Sequence, residues 1–309
     1  MVRHFLDLTE YSSEEIQRLL RLAQRLKQEW SAGGNKPILK GKILGMVFQK
    51  PSLRTRVSFD MGMRQLGGDA LYISPNEVGL GQRESVADVS RVLSRYVDAI
   101  MARVFSHEQV LELARYSRVP VINGLSDNVH PCQAMADMLT LIEHFTDMRG
   151  RKVAFIGDGN NTAVSLMRIC TKLGVEFAIA SPDGYTLPDT AVAAARKDAE
   201  AAGSRIVLVK EPTQAAQDAD ALYTDAWVSM GQEEETLQRE KAFAGYQINA
   251  ALLRKAKPHA VVLHCLPAHR GKEITDEVMD GPQSLVFPEA ENRLHAQKAI
   301  LADLLAPDA

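Results

Sequence analysis

Ser52, Arg54, Thr55 and Arg56 stand within five positions of one another, directly after the apolar run 43–48 and the break at Gln49-Lys50-Pro51. Residue types of this kind hold anions. If a helix begins here, its first amides lack intrahelical partners and lie at the positive end of the helix dipole, so an oxyanion meets unused donors and a favourable field. Arg54 and Arg56 add permanently charged, bidentate forks. The pattern reads as a phosphate cradle, and also as a solvated basic helix start with Ser52 as its N-cap. Val57, Met61 and Leu66 are expected to line one apolar face of that helix.

The other chemically suggestive segments also fall at the ends of apolar runs. Arg103 ends the run 98–102, where a charge is costly to bury unless it meets an anion. In Asn128-Val129-His130-Pro131-Cys132-Gln133, Pro131 suits a first helical turn. His130 and Gln133 are then donors able to polarise a carbonyl oxygen, or alternatively parts of an N-terminal cap. Gly157-Asp158-Gly159-Asn160-Asn161 resembles the start of a dinucleotide fingerprint, but Thr162 occupies the third glycine position and Ile179-Ala180-Ser181 lacks the usual ribose-binding acid. Asn161 is instead available to a polar substrate group. Asp225, in Asp225-Ala226-Trp227-Val228-Ser229-Met230-Gly231-Gln232, offers a carboxylate suited to an amine, with the Ser229 hydroxyl four positions on. Cys265, in His264-Cys265-Leu266-Pro267, is either a partly exposed, activated thiol or an inert core cysteine. Arg293 adds a cation near the last helix.

These residues require strands to carry them. Ser12-Ser13-Glu14-Glu15 forms a capping-box pattern ahead of an amphipathic helix running to Trp30. Apolar runs at 43–48, 69–73, 98–102 and 119–122 then alternate with helical patterns near 55–66, 84–96 and 106–116. A long helix follows from Pro131 to His144, and a second series of runs lies at 153–156, 176–180, 205–209, 221–224 and 260–263. A last helix is expected from Glu291 to Leu305. The expected fold class is α/β, with two domains that each carry a mainly parallel sheet flanked by helices and with the active site in the crevice between them. The boundaries read as 1–145, 146–288 and a C-terminal helix, 289–309, that returns to the first domain.

Composition narrows the function. A formal charge of −3 and a pI near 6.3 leave no global basic surface, which argues against nucleic acid or an anionic membrane as partner. No apolar stretch approaches membrane-spanning length, and the N-terminus reads as no signal peptide, so a cytoplasmic protein is expected. Cys132, Cys170 and Cys265 have no metal-ligand spacing and imply neither a disulfide framework nor a structural metal.

Taken together, Ser52-Leu53-Arg54-Thr55-Arg56, His130-Pro131-Cys132-Gln133, Asp225 with Ser229-Met230-Gly231, His264-Cys265-Leu266-Pro267 and Phe287-Pro288-Glu289-Ala290-Glu291-Asn292-Arg293 resemble the aspartate/ornithine carbamoyltransferase family. The resemblance implies transfer of the carbamoyl group of carbamoyl phosphate to the side-chain amine of L-ornithine, giving L-citrulline and phosphate, a reaction of arginine biosynthesis and of urea-cycle type. It implies no metal and no organic cofactor, and a homotrimer or higher assembly. Ser52, Leu53, Arg54 and Thr55 are implied to hold phosphate, and Arg103, His130 and Gln133 to address the carbamoyl group. Cys265 and Leu266 are implied to close over that group, with Arg293 contributing charge. Asn161, Asp225, Ser229 and Met230 map onto the ornithine site, and Arg54, Arg103, His130, Asp225 and Cys265 onto the catalytic set. Two departures stand out: Leu53 occupies a position where threonine is frequent, and the 76–83 loop lacks a glutamine that many relatives carry. Putrescine, an N-acylated ornithine or aspartate are alternative acceptors. A nicotinamide-dependent dehydrogenase and a non-catalytic binding protein are the rivals from other classes.

Overall fold

The computed structural model describes residues 2–228 and 233–307, so Ser229 and Met230 lie outside the described residues. By its internal contacts the chain divides into two compact units. One holds the residues up to Leu139 together with those from Glu291 onward, and the other is Thr140–Ala290.

Short apolar runs form parallel strands because helices return the chain and cover the sheet, the central strands being largely buried and an edge strand of each sheet partly exposed. In the first unit these are β1 (Ile43–Phe48), β2 (Asp69–Ile73), β3 (Ala99–Arg103) and β4 (Val121–Leu125). The helices are α1 (Ser13–Ser31), α2 (Leu53–Gln65), α3 (Pro75–Val78), α4 (Val86–Leu93), α5 (His107–Tyr116) and α6 (Pro131–Phe145), the last of which runs into the second unit. All strands are parallel, in the order β2-β1-β3-β4. The chain leaves β1 toward β2 on one side and later crosses to β3 on the other. The connections therefore diverge at the carboxyl ends of β1 and β3, the switch point where open α/β sheets bind ligands. Register places Phe48 opposite Arg103, which brings the end of the cradle strand beside the lone arginine.

The second unit repeats the logic with β5 (Lys152–Ile156), β6 (Glu176–Ala180), β7 (Ile206–Val209), β8 (Ala221–Thr224) and β9 (Val261–His264), in the order β7-β6-β5-β8-β9. Its helices are α7 (Asn161–Lys172), α8 (Asp189–Ala202), α9 (Pro212–Ala216), α10 (Thr236–Ala242), α11 (Ala250–Leu253), α12 (Asp276–Met279) and the start of α13 (Val286–Leu305). The switch point falls between β5 and β8, where residues 157–161 and Asp225 emerge. Thr224 pairs with His264, so Cys265 emerges next to Asp225.

Two expectations need correction. Val57 and Met61 are exposed, and α2 instead buries Thr55, Ser58, Phe59, Gly62 and Met63. The buried face is the one turned toward α13: a Cβ on Gly62 would stand at ordinary contact distance, 3.5–3.7 Å, from Lys298, Leu301 and Leu294, and Phe59 and Met63 supply the apolar burial, which leaves Val57 and Met61 on the opposite side of the helix. The last helix begins at Val286 rather than Glu291, since Pro288 falls in its first turn, where a missing N–H leaves no helical bond unmade. Among the described residues, no helix is long and apolar enough to cross a membrane.

Candidate active site

At the first switch point, Ser52 caps α2 with extended backbone, φ −161° and ψ 111°. Its hydroxyl accepts from Thr55 N at 3.3 Å and donates to Thr55 Oγ1 at 3.1 Å. Ser52 is thus the N-cap of α2, as the capping reading expects. Thr55 is fully buried, and two further donors converge on its hydroxyl: Arg103 Nη1 from the end of β3 at 3.3 Å, and Arg293 Nη2 from α13 at 2.8 Å. A single neutral oxygen thus holds two guanidinium groups at a helix start, where an anion would complete their charge. Arg54 is half-buried with its Nε shielded from solvent and unpaired, whereas Arg56 is exposed and lies 4.3 Å over the Tyr72 ring. Leu53 is 75% exposed, so its side chain packs little.

His130 and Gln133 occupy the first turn of α6 and its approach, and both are buried. Burial, followed by the charges of Arg293 and Arg103, holds the His130 pKa well below the usual histidine value. His130 is neutral at pH 7, a hydrogen-bond donor that adds no further positive charge. Gln133 donates from Nε2 to Asp137 Oδ1 at 2.8 Å. Cys132 is core, its thiol pushed by burial up to about 12. Lys50, for which the sequence suggested no role, sits 4.2 Å over the Phe105 ring. Burial lowers its pKa first and Arg103 second, against the opposing pull of Asp127. Its signal was present in the cradle segment itself, as a third cation two residues before the cap. Gln49 ties this entry to two neighbouring segments, donating to Leu80 O and accepting from Phe105 N, both at 3.0 Å.

At the second switch point, Asn160 caps α7 by accepting from Thr162 N and Ala163 N. It also donates from Nδ2 to Asp225 Oδ2 at 2.9 Å. The Cys265 thiol donates to Asp225 Oδ1 at 3.0 Å, and Ala226 N donates to the same oxygen at 2.8 Å. Asp225 is thereby fixed with both oxygens engaged. Asn161 lies at the start of α7, its Oδ1 accepting from Thr162 N at 2.9 Å. Arg239 of α10 joins Asp158 Oδ2 at 2.7 Å to the carbonyl of Trp227 at 3.1 Å. Burial raises the Asp158 pKa against the pull of Arg239. Sequence reading missed this brace because its members lie far apart along the chain.

The His264 ring supports the Cys265 loop. Its Nδ1 accepts from Leu266 N at 2.9 Å, which leaves the proton on Nε2 to face Glu273 Oε1 at 3.1 Å. Glu289 accepts from His264 N at 2.8 Å and from the Tyr223 hydroxyl at 3.1 Å. Leu266 is held with φ +58° ahead of a cis peptide bond to Pro267. Single ligand atoms of Asp225, His264 and Cys265 lie within 4.8 Å of one another. Both imidazole nitrogens are already engaged, so a metal would have to displace a backbone bond or the Glu273 contact. Nor do the glycines after β5 call for a dinucleotide. A Cβ on Gly159 would fall 2.3 Å from Leu187 N, so packing of the chain against itself already demands glycine there.

The carbamoyl-phosphate-binding domain of the aspartate/ornithine carbamoyltransferases matches residues 3–143, and the Asp/Orn-binding domain of the same family matches residues 149–304. The ornithine carbamoyltransferase of Methanoculleus marisnigri is 51% identical over 306 residues, covering 99% of this chain and 98% of its own. The anabolic ornithine carbamoyltransferase of Pyrococcus furiosus is 50% identical over 300 residues, covering 97% of this chain and 95% of its own. Among solved structures, the ornithine carbamoyltransferase from Pyrococcus furiosus superposes with a TM-score of 0.96 at 50% identity, covering 99% of this chain and 98% of that one. The enzyme from Thermus thermophilus gives 0.89 at 44% identity, covering 99% of each chain.

Proposed function

The chain belongs to the aspartate/ornithine carbamoyltransferase family, and from that premise we propose that it transfers the carbamoyl group of carbamoyl phosphate to the δ-amine of L-ornithine, releasing L-citrulline and phosphate. The observation that carries this reading is the convergence of Arg103 and Arg293 on Thr55 at the start of α2. The first unit is the carbamoyl-phosphate half and Thr140–Ala290 the ornithine half. Ser52, the Leu53 amide, Arg54 and Thr55 take the phosphate, and Lys50 adds charge at its edge. Arg103 and neutral His130 donate to the carbamoyl oxygen, and Gln133 meets the carbamoyl nitrogen.

Asp225 and Asn161, with Ser229 and Met230, hold ornithine, and Cys265 and Leu266 flank the reacting group. An alkyl ammonium has a reference pKa near ~10.4, so little of the nucleophilic form exists at neutral pH and the site must select it. The neutral amine attacks the carbamoyl carbon and forms a C–N bond. Charge collects on the carbamoyl oxygen facing Arg103, His130 and Thr55, the C=O bond re-forms as the C–O bond to phosphate breaks, and the leaving phosphate takes up the amine proton. Cys265 forms no covalent bond in this scheme; with Asp225 it orients the amine.

The biosynthetic direction agrees with the anabolic relative from Pyrococcus furiosus. A homotrimer is supported by exposed Leu53, Val57 and Met61 along one stripe of α2, an apolar surface suited to a partner subunit. Three cysteines that form no disulfide fit a reducing cytoplasm. The reading is tested by incubating the protein with carbamoyl phosphate and, separately, L-ornithine, N-acetylornithine, putrescine and L-aspartate. Product from ornithine alone is expected, and preference for another amine overturns the ornithine half.

A further inference from the structure

We propose that Asp137 is a positioning residue: it fixes the orientation of the Gln133 amide and so makes the site select an acyl phosphate that carries an N–H group. The inference rests on the reading of Gln133 as a carbamoyl contact. Asp137 lies one turn after Gln133 on α6, at the i+4 spacing that brings helical side chains together. Gln133 Nε2 stands 2.8 Å from Asp137 Oδ1, with Gln133 1% exposed and Asp137 fully buried.

A glutamine amide can be reversed by a half-turn that exchanges its donor and acceptor ends, at almost no change in shape. A carboxylate accepts only. Reversing Gln133 would set its carbonyl oxygen against the Asp137 oxygen where water cannot separate them, and would forfeit a charge-assisted bond. Asp137 therefore selects the orientation in which the amide nitrogen faces it and the amide oxygen faces the other way. The same turn carries His130, since Gln133 N donates to His130 O at 3.1 Å. An oxygen presented beside a neutral histidine donor suits a group with an acceptor oxygen and a donor NH2 on one carbon, which is a carbamoyl group. Acetyl phosphate has the same phosphate and carbonyl but offers a methyl to that oxygen. A buried site built to hydrogen-bond an N–H penalises the analogue that lacks it.

The test compares the affinity of carbamoyl phosphate with the inhibition constants of acetyl phosphate and inorganic phosphate. It uses the full chain, Asp137→Asn, Gln133→Met and the double variant, with thermal unfolding of each. Asp137→Asn is expected to weaken carbamoyl phosphate about tenfold, the worth of one such hydrogen bond. Acetyl phosphate and phosphate should stay within about twofold of wild type, and in the Gln133→Met background the substitution should add no further loss. Equal weakening of all three ligands, or additive losses, would overturn the proposal. Should Asp137→Asn not fold, the charge-conserving pair Gln133→Glu with Asp137→Asn keeps a donor facing an acceptor and still presents an oxygen. It should discriminate against acetyl phosphate, and loss of discrimination counts against Asp137. A wild-type protein that binds no carbamoyl phosphate would instead remove the functional reading itself, a failure visible before any variant is made.

Discussion

Replacing Thr55 by valine removes one oxygen and almost no volume. That oxygen receives Arg293 Nη2 at 2.8 Å, Ser52 Oγ at 3.1 Å and Arg103 Nη1 at 3.3 Å. A hydrogen bond with one charged partner is worth ~1.5–3 kcal/mol, and the Arg103 contact lies at the long, weak end. Losing the Arg293 bond and part of the others gives roughly 2–4 kcal/mol, or a fall of about 30- to 1000-fold in kcat/KM for carbamoyl phosphate. Thr55→Ser keeps the hydroxyl and should stay close to wild type. Because the hydroxyl that takes the phosphate is gone, phosphate should stabilise Thr55→Val less than wild type, and the stability lost should grow at saturating phosphate. The assay is initial-rate kinetics at saturating ornithine, paired with thermal unfolding with and without phosphate. A valine variant within threefold of wild type would refute the hub, as would a serine variant as impaired as valine.

Arg54→Ala should lose most turnover, since one such electrostatic contact is typically worth ~3–4 kcal/mol; a correctly folded variant with near-normal turnover removes the cradle. For Cys265→Ser, weaker use of ornithine and a shifted pH profile are expected because the thiol touches Asp225, and an unchanged profile would reduce Cys265 to packing. Lys298 gives a stability test. It is fully buried against Leu26 O, Asn35 Oδ1 and Gln65 Oε1, and burial lowers its pKa from 10.5 to about 8. Below the folded value both states are protonated and the penalty of the buried charge is fully present. As pH rises toward the unfolded value, the folded chain has released a proton that the unfolded chain keeps, so stability rises by up to about 3 kcal/mol. Lys298→Met should remove that rise, measured by denaturant unfolding across this window, and parallel curves for the two proteins would contradict the assignment.

Strand positions were legible because each is a short apolar run bounded by polar breaks, and parallel sheets covered by helices need little else. The face of α2 was not. Phe59 and Met63 face inward while Val57 and Met61 turn outward, and four apolar residues at helical spacing do not by themselves say which side meets the core. Residue types at the site were visible one by one, but their convergence was not, because the Arg293–Thr55 bond spans 238 positions. The brace from Arg239 to Asp158 has the same character. Asp137 lies only four positions from Gln133 on α6, so that contact was within reach of helical spacing and was missed because neither residue type by itself calls for the other. Local chemistry is written in short segments, whereas orientation depends on pairs that only the fold brings together.

The most direct measurement is carbon NMR of 13C-labelled carbamoyl phosphate mixed with L-ornithine and the protein, with phosphate release followed in the same sample. The account requires the label to appear as the ureido carbon of citrulline, one for each phosphate released and only with active protein. Phosphate release without a new ureido carbon, or label on the α-nitrogen, would contradict it.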